Sequence, residues 1–269
     1  MKADFHMHTN FSSDSDATPK KMVEEAIRLG LRTICITDHQ DSDYPKHGDG
    51  EEFQLDFSRY VPAMQKLREE YKDRIEILLG VELGLQPHLG ERYKKMTSQY
   101  PFDYIIGSVH VIDGLDPYYG VYFQDKTDAE GYRRALEATM ENLRAISDFD
   151  ALGHMDYVVR YGRGKESTYR CSECMDIIEE ILRFLIQNGK GLEVNTAGWK
   201  YGLSFAHPYP DILKRYKELG GEILTVGSDG HRPEHIAYDF HRVSPLLKSY
   251  GFKYYSEFRK RKPVFIELP

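Results

Sequence analysis

The sequence predicts an α/β fold in which the strands of a parallel sheet alternate with helices. Short apolar runs rich in β-branched residues are separated by longer amphipathic segments, which is the pattern of repeated strand–helix units. The length of 269 residues is one at which a single α/β barrel is common, and 41% hydrophobic residues are enough for one sizeable core. Neither a linker nor an internal repeat interrupts the pattern. We therefore expect one domain spanning residues 1–269.

Each strand and helix follows from its own local pattern. In chain order the predicted strands are ADFHMH, TICITDH, IEILLGVEL, DYIIGSVHV, FDALGHMD, GLEVNT and EILTVGSDGH. The clearest helices are TPKKMVEEAIRLG, DAEGYRRALEATMENLRAISD, SECMDIIEEILRFLIQNG and YPDILKRYKELGG. In the first helix Thr18 can cap the N-terminus, Pro19 suits the first turn and Gly30 suits the end. The closing KPVFIELP is also predicted as a strand, at the periphery of the fold.

Charge and composition narrow the class of protein. The chain carries 43 acidic and 36 basic residues, a formal net charge of −7, which argues against binding that depends on wrapping nucleic acid. No stretch approaches the roughly 18 apolar residues of a membrane span, and MKADFHMH is not a signal segment. The three cysteines form no disulfide framework, and we interpret Cys171 and Cys174 as structural. We expect a soluble cytoplasmic protein without a stable nucleic-acid or membrane partner, and the oligomeric state stays open.

The first predicted strand carries two histidines one residue apart. Side chains of a strand repeat every two residues, so His6 and His8 would project from the same face about 7 Å apart. Two imidazoles at this spacing can chelate one metal ion. An isolated His-x-His is more often a pair of surface side chains, so the metal interpretation requires partners elsewhere in the chain.

Such partners stand at the ends of the later strands. They are His39, Glu82, His110, His154, Asp229 and His231. In α/β barrels the carboxyl ends of the strands converge on one mouth, so the repetition favours one shared site over separately buried core histidines. Imidazoles and carboxylates without cysteine favour zinc, manganese or iron, and a carboxylate can bridge two of these metals. About nine candidate ligands are too many for one ion, which predicts two or three divalent transition metals.

The ordered motifs DFHMHT, ITDH, GVEL, DYIIGSVH, GHMD and GSDGH resemble those of the polymerase and histidinol phosphatase (PHP) family over nearly the whole chain. The resemblance implies a distorted seven-stranded (β/α)7 TIM-like barrel with a trinuclear centre at the C-terminal ends of the strands. Carried onto matching residues, it places one metal on His6, His8, Glu82 and Asp229, a second on Glu82, His110 and His154, and a third on Asp14, His39 and His231. Related phosphatases often have histidine where Asp14 stands, and Asp16 competes with it for this assignment.

The segment from Pro87 to DALGHMDYVVRYG resembles the branch of the family that hydrolyses histidinol phosphate. The implied reaction is cleavage of this small phosphomonoester to L-histidinol and phosphate, a step of histidine biosynthesis. Two metals that share Glu82 can lower the pKa of a bridging water and orient it for attack on phosphorus. We predict Glu82, Asp229 and His231 as the catalytic residues.

Substrate contacts are predicted from the loop after His154 and from the end of the sixth strand. Arg160, six residues after His154, can clamp phosphate through its planar guanidinium, and Arg163 or Lys165 could replace it. Asn195 ends the sixth predicted strand and could face the substrate or cap a loop. We interpret the remaining histidines as surface or structural residues, namely His47, His88, His207, His235 and His241.

Other functions stay open at this point. A nucleotide phosphatase or 3′–5′ exonuclease of the same family would share the metal ligands and differ in the substrate-facing loops. A non-catalytic metal-binding barrel would be expected to lose ligands, whereas this chain keeps the full set. An amidohydrolase is disfavoured because no lysine stands at a strand end.

Overall fold

The computed structural model describes residues 1–46 and 52–269. Eight parallel strands form the main sheet: β1 Ala3–Asp4, β2 Thr33–Ile36, β3 His39–Gln40, β4 Glu76–Gly84, β5 Tyr104–Ser108, β6 Ala151–Leu152, β7 Gly191–Asn195 and β8 Leu224–Gly227. Their order is β1-β2-β4-β5-β6-β7-β8, and β3 also pairs with β4. Every neighbouring pair is parallel, as the alternation of strands and helices predicted.

The ring has seven positions because β2 and β3 occupy one of them. β2 pairs with the first half of β4, and β3 pairs with the same strand a few residues further on, at His39 and Glu82. Between β2 and β3 the backbone N–H of Thr37 donates to the carbonyl of Met7, which follows β1, at 2.9 Å. The second predicted strand is therefore one strand with an interruption just before His39.

The first and last strands of the ring approach each other closely. The N–H of Phe5 donates to the carbonyl of Val226 at 2.9 Å, and the N–H of Asp229 donates to the carbonyl of His6 at 2.8 Å. Met7 also forms a parallel bridge with Gly230. The sheet thus closes nearly completely, and the predicted distorted barrel is confirmed.

Helices surround the sheet in the described residues. They are α1 Pro19–Arg28, α2 Phe57–Tyr71, α3 Gly90–Thr97, α4 Asp128–Ala145, α5 Met175–Gln187, α6 Ala197–Lys200, α7 Pro210–Glu218 and α8 Val243–Ser249. The four predicted helices correspond to α1, α4, α5 and α7. The hydroxyl of Thr18 accepts from the N–H of Lys21 at the start of α1, and Gly30 has a φ of +73° just after its end, as predicted. Since a φ above +50° favours glycine, Gly30 ends the helix at low cost.

Aromatic packing closes the amino end of the barrel. The rings of Phe5 and Tyr104 contact each other edge to face with 5.5 Å between centroids, and the Tyr104 ring also contacts Phe258 at 5.1 Å between centroids. Phe258 belongs to β9 Tyr254–Arg259, which pairs antiparallel with β10 Lys262–Glu267. The hairpin includes the predicted closing strand. Because it covers the amino end, only the carboxyl ends of the strands are left to form an open mouth.

The state of the cysteines and the length and polarity of the helices can be compared with the sequence-based expectations. All three cysteines are buried free thiols, and Cys171 and Cys174 lie in a short 3-10 turn before α5. Within residues 1–46 and 52–269, each helix is too short or too polar to cross a bilayer. His47 lies outside the described residues.

Candidate metal centre

Glu82 lies at the middle of the mouth, at the end of β4, and is fully buried. Its Oε2 is 3.1 Å from His6 Nε2 and 3.5 Å from His8 Nε2. Its Oε1 is 3.3 Å from His110 Nε2 and 3.0 Å from His154 Nε2. Oε2 is also 3.1 Å from His39 Nδ1, so the two carboxylate oxygens face different groups of imidazoles, which is the arrangement that a carboxylate shared by two metal ions requires.

Asp229 and His231 follow β8 and complete two sides of the cluster. Asp229 Oδ1 is 3.5 Å from His8 Nε2, and His231 stacks on His8 with 4.1 Å between ring centroids. His39 stacks on the other side of His8 at 4.2 Å. These contacts connect the group around Glu82 with a more exposed group at the rim.

The rim group contains Asp14. Its Oδ2 is 2.9 Å from His231 Nε2 and 3.6 Å from His39 Nε2. Asp14 and Asp16 are both exposed, so these contacts rather than burial distinguish the two candidates. The two histidines thus share Asp14 as their acidic neighbour, and the geometry favours Asp14 for this position.

The donor set fits divalent metals. Within the described residues, Nε2 of His6, both ring nitrogens of His8 and Oε2 of Glu82 are buried without a hydrogen-bond partner. Buried polar atoms without partners are costly, and a cation that they coordinate removes this cost. Four groups of candidate ligands have their donor atoms within 4.8 Å of one another: His8, His39 and His231; His6, Glu82 and His154; His6, His8 and Asp229; and His39, Asp41 and His110.

Electrostatics in the cluster favour an ionised carboxylate at its centre. Burial alone would raise the pKa of Glu82, but three surrounding imidazoles hold this pKa well below its usual range. The pKa of Asp229 is likewise held well below its usual range, because His6 and its neighbours outweigh burial. Charged carboxylates are the form that coordinates metal.

Glu193 supports the centre and was not predicted. Its Oε1 is 2.6 Å from His6 Nδ1, and its Oε2 accepts from the N–H of His154 at 2.9 Å. Such a carboxylate fixes the tautomer of the imidazole so that the other nitrogen faces the metal. A side chain at Gly227 would place its Cβ 2.3 Å from His6 Cβ, so glycine is needed for this packing.

Asn195 lies behind the centre, two residues after Glu193 on the same face of β7. Its Nδ2 donates to Glu193 Oε2 at 3.1 Å, and its Oδ1 accepts from the N–H of Ala197 at 3.0 Å. Asn195 is fully buried and is not part of the cavity lining described below. The geometry favours a supporting role, and substrate contact by Asn195 stays a prediction.

Two aspartates beside His39 support the centre from the opposite side. Asp41 Oδ2 is 2.7 Å from His110 Nδ1, which repeats the arrangement of Glu193 and His6. Asp38 accepts hydrogen bonds from the N–H of Thr9 at 2.6 Å and from the hydroxyl of Ser12 at 2.7 Å. Burial raises the pKa of Asp38 to about 6, although these donors oppose the shift. The sequence signal for both was the run of acidic residues in TDHQD.

Arg160 lies in the mouth, as the clamp prediction requires. Its guanidinium is buried, with Nη2 3.5 Å from Asp229 Oδ2 and the group 4.6 Å from the ring of Tyr201. The other two basic candidates, Arg163 and Lys165, do not line the cavity, and the guanidinium of Arg163 donates to the carbonyl of Lys126 instead.

A buried pair holds Arg160 in place. Arg160 Nε donates to His207 Nε2 at 2.9 Å, and His207 Nδ1 is 2.6 Å from Asp156 Oδ1. Burial, followed by the charge of Arg160, lowers the pKa of His207 to about 4, so its imidazole is neutral near pH 7. A neutral ring that donates from Nδ1 to Asp156 has Nε2 free to accept from Arg160. His207, which we expected to be a surface or structural residue, is thus fully buried beside the site.

A cavity of about 430 Å³ opens above the cluster. It is lined by Asp14, His39, Asp41, Tyr44, Phe53, His110, Asp116, Tyr118, His154, Tyr157, Arg160, Tyr161, Tyr201, Asp229, His231, Arg232 and His235. His235 therefore borders the site, whereas His88 and His241 are exposed. The volume suits a small molecule, and the lining combines metal-ligand types, two arginines and several tyrosines.

Known proteins resemble this chain in both sequence and structure. A family model for the PHP domain matches residues 4–197. A histidinol-phosphatase from Lactococcus lactis subsp. lactis (strain IL1403) is 34% identical over 257 residues, which cover 93% of this chain and 92% of that protein. A Clostridium acetobutylicum protein, named a probable histidinol-phosphatase, is 33% identical over 270 residues. The aligned region covers 99% of this chain and 97% of that protein.

Two solved structures share the fold. Histidinol phosphate phosphatase from Lactococcus lactis subsp. lactis, complexed with zinc, L-histidinol and phosphate, matches with a TM-score of 0.89 at 34% identity over 98% of each chain. A Listeria monocytogenes structure matches with a TM-score of 0.72 at 20% identity, covering 90% of this chain and 100% of its own. The second match shows the fold alone.

The fold and the site together define an α/β-barrel protein that has groups of side chains able to hold divalent metal at the carboxyl ends of its strands. The family model spans most of the chain, and a relative above 30% identity covers nearly all of it. The chain belongs to the PHP family, and the resemblance read from the ordered motifs is confirmed.

Proposed function

We propose that the protein is a metal-dependent phosphomonoesterase that hydrolyses L-histidinol phosphate to L-histidinol and phosphate. The observation that carries this proposal is the match over 98% of both chains with the Lactococcus enzyme, whose structure holds zinc, L-histidinol and phosphate. The cavity supports it independently, because a small site that combines imidazoles, carboxylates and arginine suits a phosphate ester.

The proposed ligands are those that the sequence predicted. His6, His8 and Asp229 would hold one ion, His110 and His154 a second, and Asp14, His39 and His231 a third, with Glu82 shared between the first two. When bound, such ions supply a water of lowered pKa near phosphorus. Zinc in the Lactococcus structure supports zinc here, while the number of ions and a role for manganese or iron remain part of the proposal.

The chain's own residues bind and orient the substrate. In the reaction, an oxygen from water forms a bond to phosphorus while the bond from phosphorus to the carbon-bearing oxygen breaks, and that oxygen leaves with a proton. The guanidinium of Arg160 would bind the phosphoryl oxygens and stabilise the charge that develops on them. Because Nε of Arg160 donates to His207, the two terminal nitrogens are left for other partners, and Nη2 lies 3.5 Å from Asp229 Oδ2.

The proposal includes partners and location. We propose a small phosphomonoester as the partner, no stable nucleic-acid or membrane partner, and a cytoplasmic location. The last three points depend on the sequence pattern, to which the buried free cysteines add support.

A substrate panel tests the proposal. Phosphate release would be measured on protein of known metal content, with L-histidinol phosphate beside nucleotides, phosphotyrosine and simple sugar phosphates. We expect the highest kcat/KM for L-histidinol phosphate. A nucleotide hydrolysed with higher kcat/KM would overturn the substrate and favour the nucleotide phosphatase or exonuclease alternative, and inactivity on every monoester would favour a non-catalytic barrel.

A further inference from the structure

The cavity above the cluster also contains a buried carboxylate that the proposed metal sites do not use. Asp116 is 8% exposed and belongs to the cavity lining. Its Oδ2 accepts from the hydroxyl of Tyr44 at 2.6 Å, and its Oδ1 accepts from the backbone N–H of Tyr118 at 2.8 Å. Both donors are neutral, so neither offsets the negative charge.

No lysine, arginine or histidine among the described residues forms an ion pair with Asp116. Asp113, three residues earlier, provides the contrast. It is exposed and accepts from Nε and Nη2 of Arg134 at 2.9 and 2.7 Å. A buried carboxylate is costly without a cationic partner, and burial accordingly raises the pKa of Asp116. A positively charged group in the cavity would remove this cost.

Aromatic rings surround the space beside Asp116. Tyr44 contacts Phe53 with 4.8 Å between ring centroids, and Tyr118 contacts Tyr161 at 5.9 Å. The faces of such rings attract cations, so they add to the preference for a positively charged group. Tyr161 also connects the two charged parts of the cavity, because it follows Arg160 directly in the chain and contacts the residue whose N–H binds Asp116.

We propose that Asp116 binds the protonated amine of an amino-alcohol phosphate whose phosphoryl group lies at Arg160 and the metal centre. This inference rests on the proposed function and adds the residue that selects the substrate. A phosphate ester without an amine would leave the Asp116 carboxylate buried and uncompensated. Selection against such esters would then come from an unpaired charge, which discriminates more strongly than a difference in fit.

The test uses Asp116→Asn and a pair of substrates. The substrates are L-histidinol phosphate and its des-amino analogue, in which hydrogen replaces the amine. Asparagine keeps the size of the side chain and removes its charge. We expect kcat/KM of the variant for L-histidinol phosphate to fall about 10- to 100-fold, the scale of a lost hydrogen bond to a charged group. For the analogue we expect no loss and instead a rise in kcat/KM, because the analogue makes no ion pair to lose and the asparagine leaves no carboxylate uncompensated.

Two controls separate selection from damage to the fold. Asp113→Asn makes the same chemical change at an exposed position outside the cavity and should leave both kcat/KM values unchanged. Competitive inhibition by inorganic phosphate should have the same inhibition constant in Asp116→Asn as in the unmodified protein, which would show that the variant is folded and that its phosphate-binding end is intact.

The remaining outcomes each have one meaning. Equal losses on both substrates, or unchanged kinetics on both, would overturn the role of Asp116. An unmodified enzyme that hydrolyses the des-amino analogue as well as L-histidinol phosphate would also overturn it and leave the phosphatase intact. Absence of phosphate release from either substrate would instead overturn the proposed function, and the selection of an amine with it.

Discussion

At the scale of single residues, the carboxylate of Glu82 has the largest number of imidazole neighbours in the centre. One oxygen lies 3.1 Å from His6 Nε2 and the other 3.0 Å from His154 Nε2. No rearrangement of the side chain is needed for the two oxygens to serve different ions. The effect of a substitution at Glu82 should therefore extend beyond one ion.

We predict that Glu82→Gln loses more metal than His39→Asn. The amide removes one negative charge from two proposed sites at once, whereas His39 belongs to the third. Metal content per chain, measured by elemental analysis on both purified variants, checks this expectation. Equal losses of about one ion in each variant would contradict a bridging role for Glu82.

Arg160 gives a second residue-scale prediction. Arg160→Ala should raise KM and lower kcat together, with a total loss of about 10- to 100-fold in kcat/KM, because a contact from guanidinium to phosphate strengthens as charge develops. Arg160→Lys should recover part of the loss, since an ammonium group lacks the planar fork. Both variants should keep the metal content of the unmodified protein. Steady-state kinetics on L-histidinol phosphate provide the measurement, and unchanged constants in Arg160→Ala would remove the clamp from the mechanism.

At the scale of elements, the loop after β6 and the segment after β7 meet through several hydrogen bonds. Arg160 follows β6, and His207, which accepts from its Nε at 2.9 Å, follows β7. Asp156, also after β6, fixes the His207 ring from the other side at 2.6 Å. Two separate connections of the barrel thus determine the orientation of one guanidinium.

A double-mutant cycle tests this coupling. His207→Ala should lower kcat/KM about 10-fold, which is near the lower end of the scale for a hydrogen bond that involves a charged group, by allowing Arg160 to move. If His207 acts only through Arg160, the double variant with Arg160→Ala should be no worse than Arg160→Ala alone. Thermal melting of each variant controls for folding. Losses that multiply in the double variant would show that His207 acts independently of Arg160.

Strands and candidate ligands could be predicted from the sequence because both signals are local. A polar residue at the end of each apolar run marks the mouth of a barrel wherever the strands are parallel. Glu193 was missed because its partner His6 lies 187 positions away in the chain, and only the closed barrel brings them together. A single charged residue inside the apolar strand GLEVN was the available signal. His207 and Asp116 gave no such signal, since their roles depend on loops whose course the sequence does not reveal.

At the scale of the whole molecule, the two ends of the barrel differ: the amino end is packed and the carboxyl end carries the candidate metal site. The amino end is packed with aromatic side chains such as Phe5 and Tyr104 and is covered by the hairpin of β9 and β10. The carboxyl end collects imidazoles and carboxylates that would repel or remain unpaired without cations. Because the candidate ligands come from the first strand and the last one, bound metal would also hold the nearly closed ring together at its seam between β1 and β8.

The most direct test of the account is phosphate release from L-histidinol phosphate during metal reconstitution. Protein stripped with a chelator would be titrated with zinc or manganese, with activity and bound metal measured at each step. We predict no activity in metal-free protein and recovery that requires more than one ion per chain, because Glu82 is proposed to serve two sites. Full activity in metal-free protein would contradict the central claim.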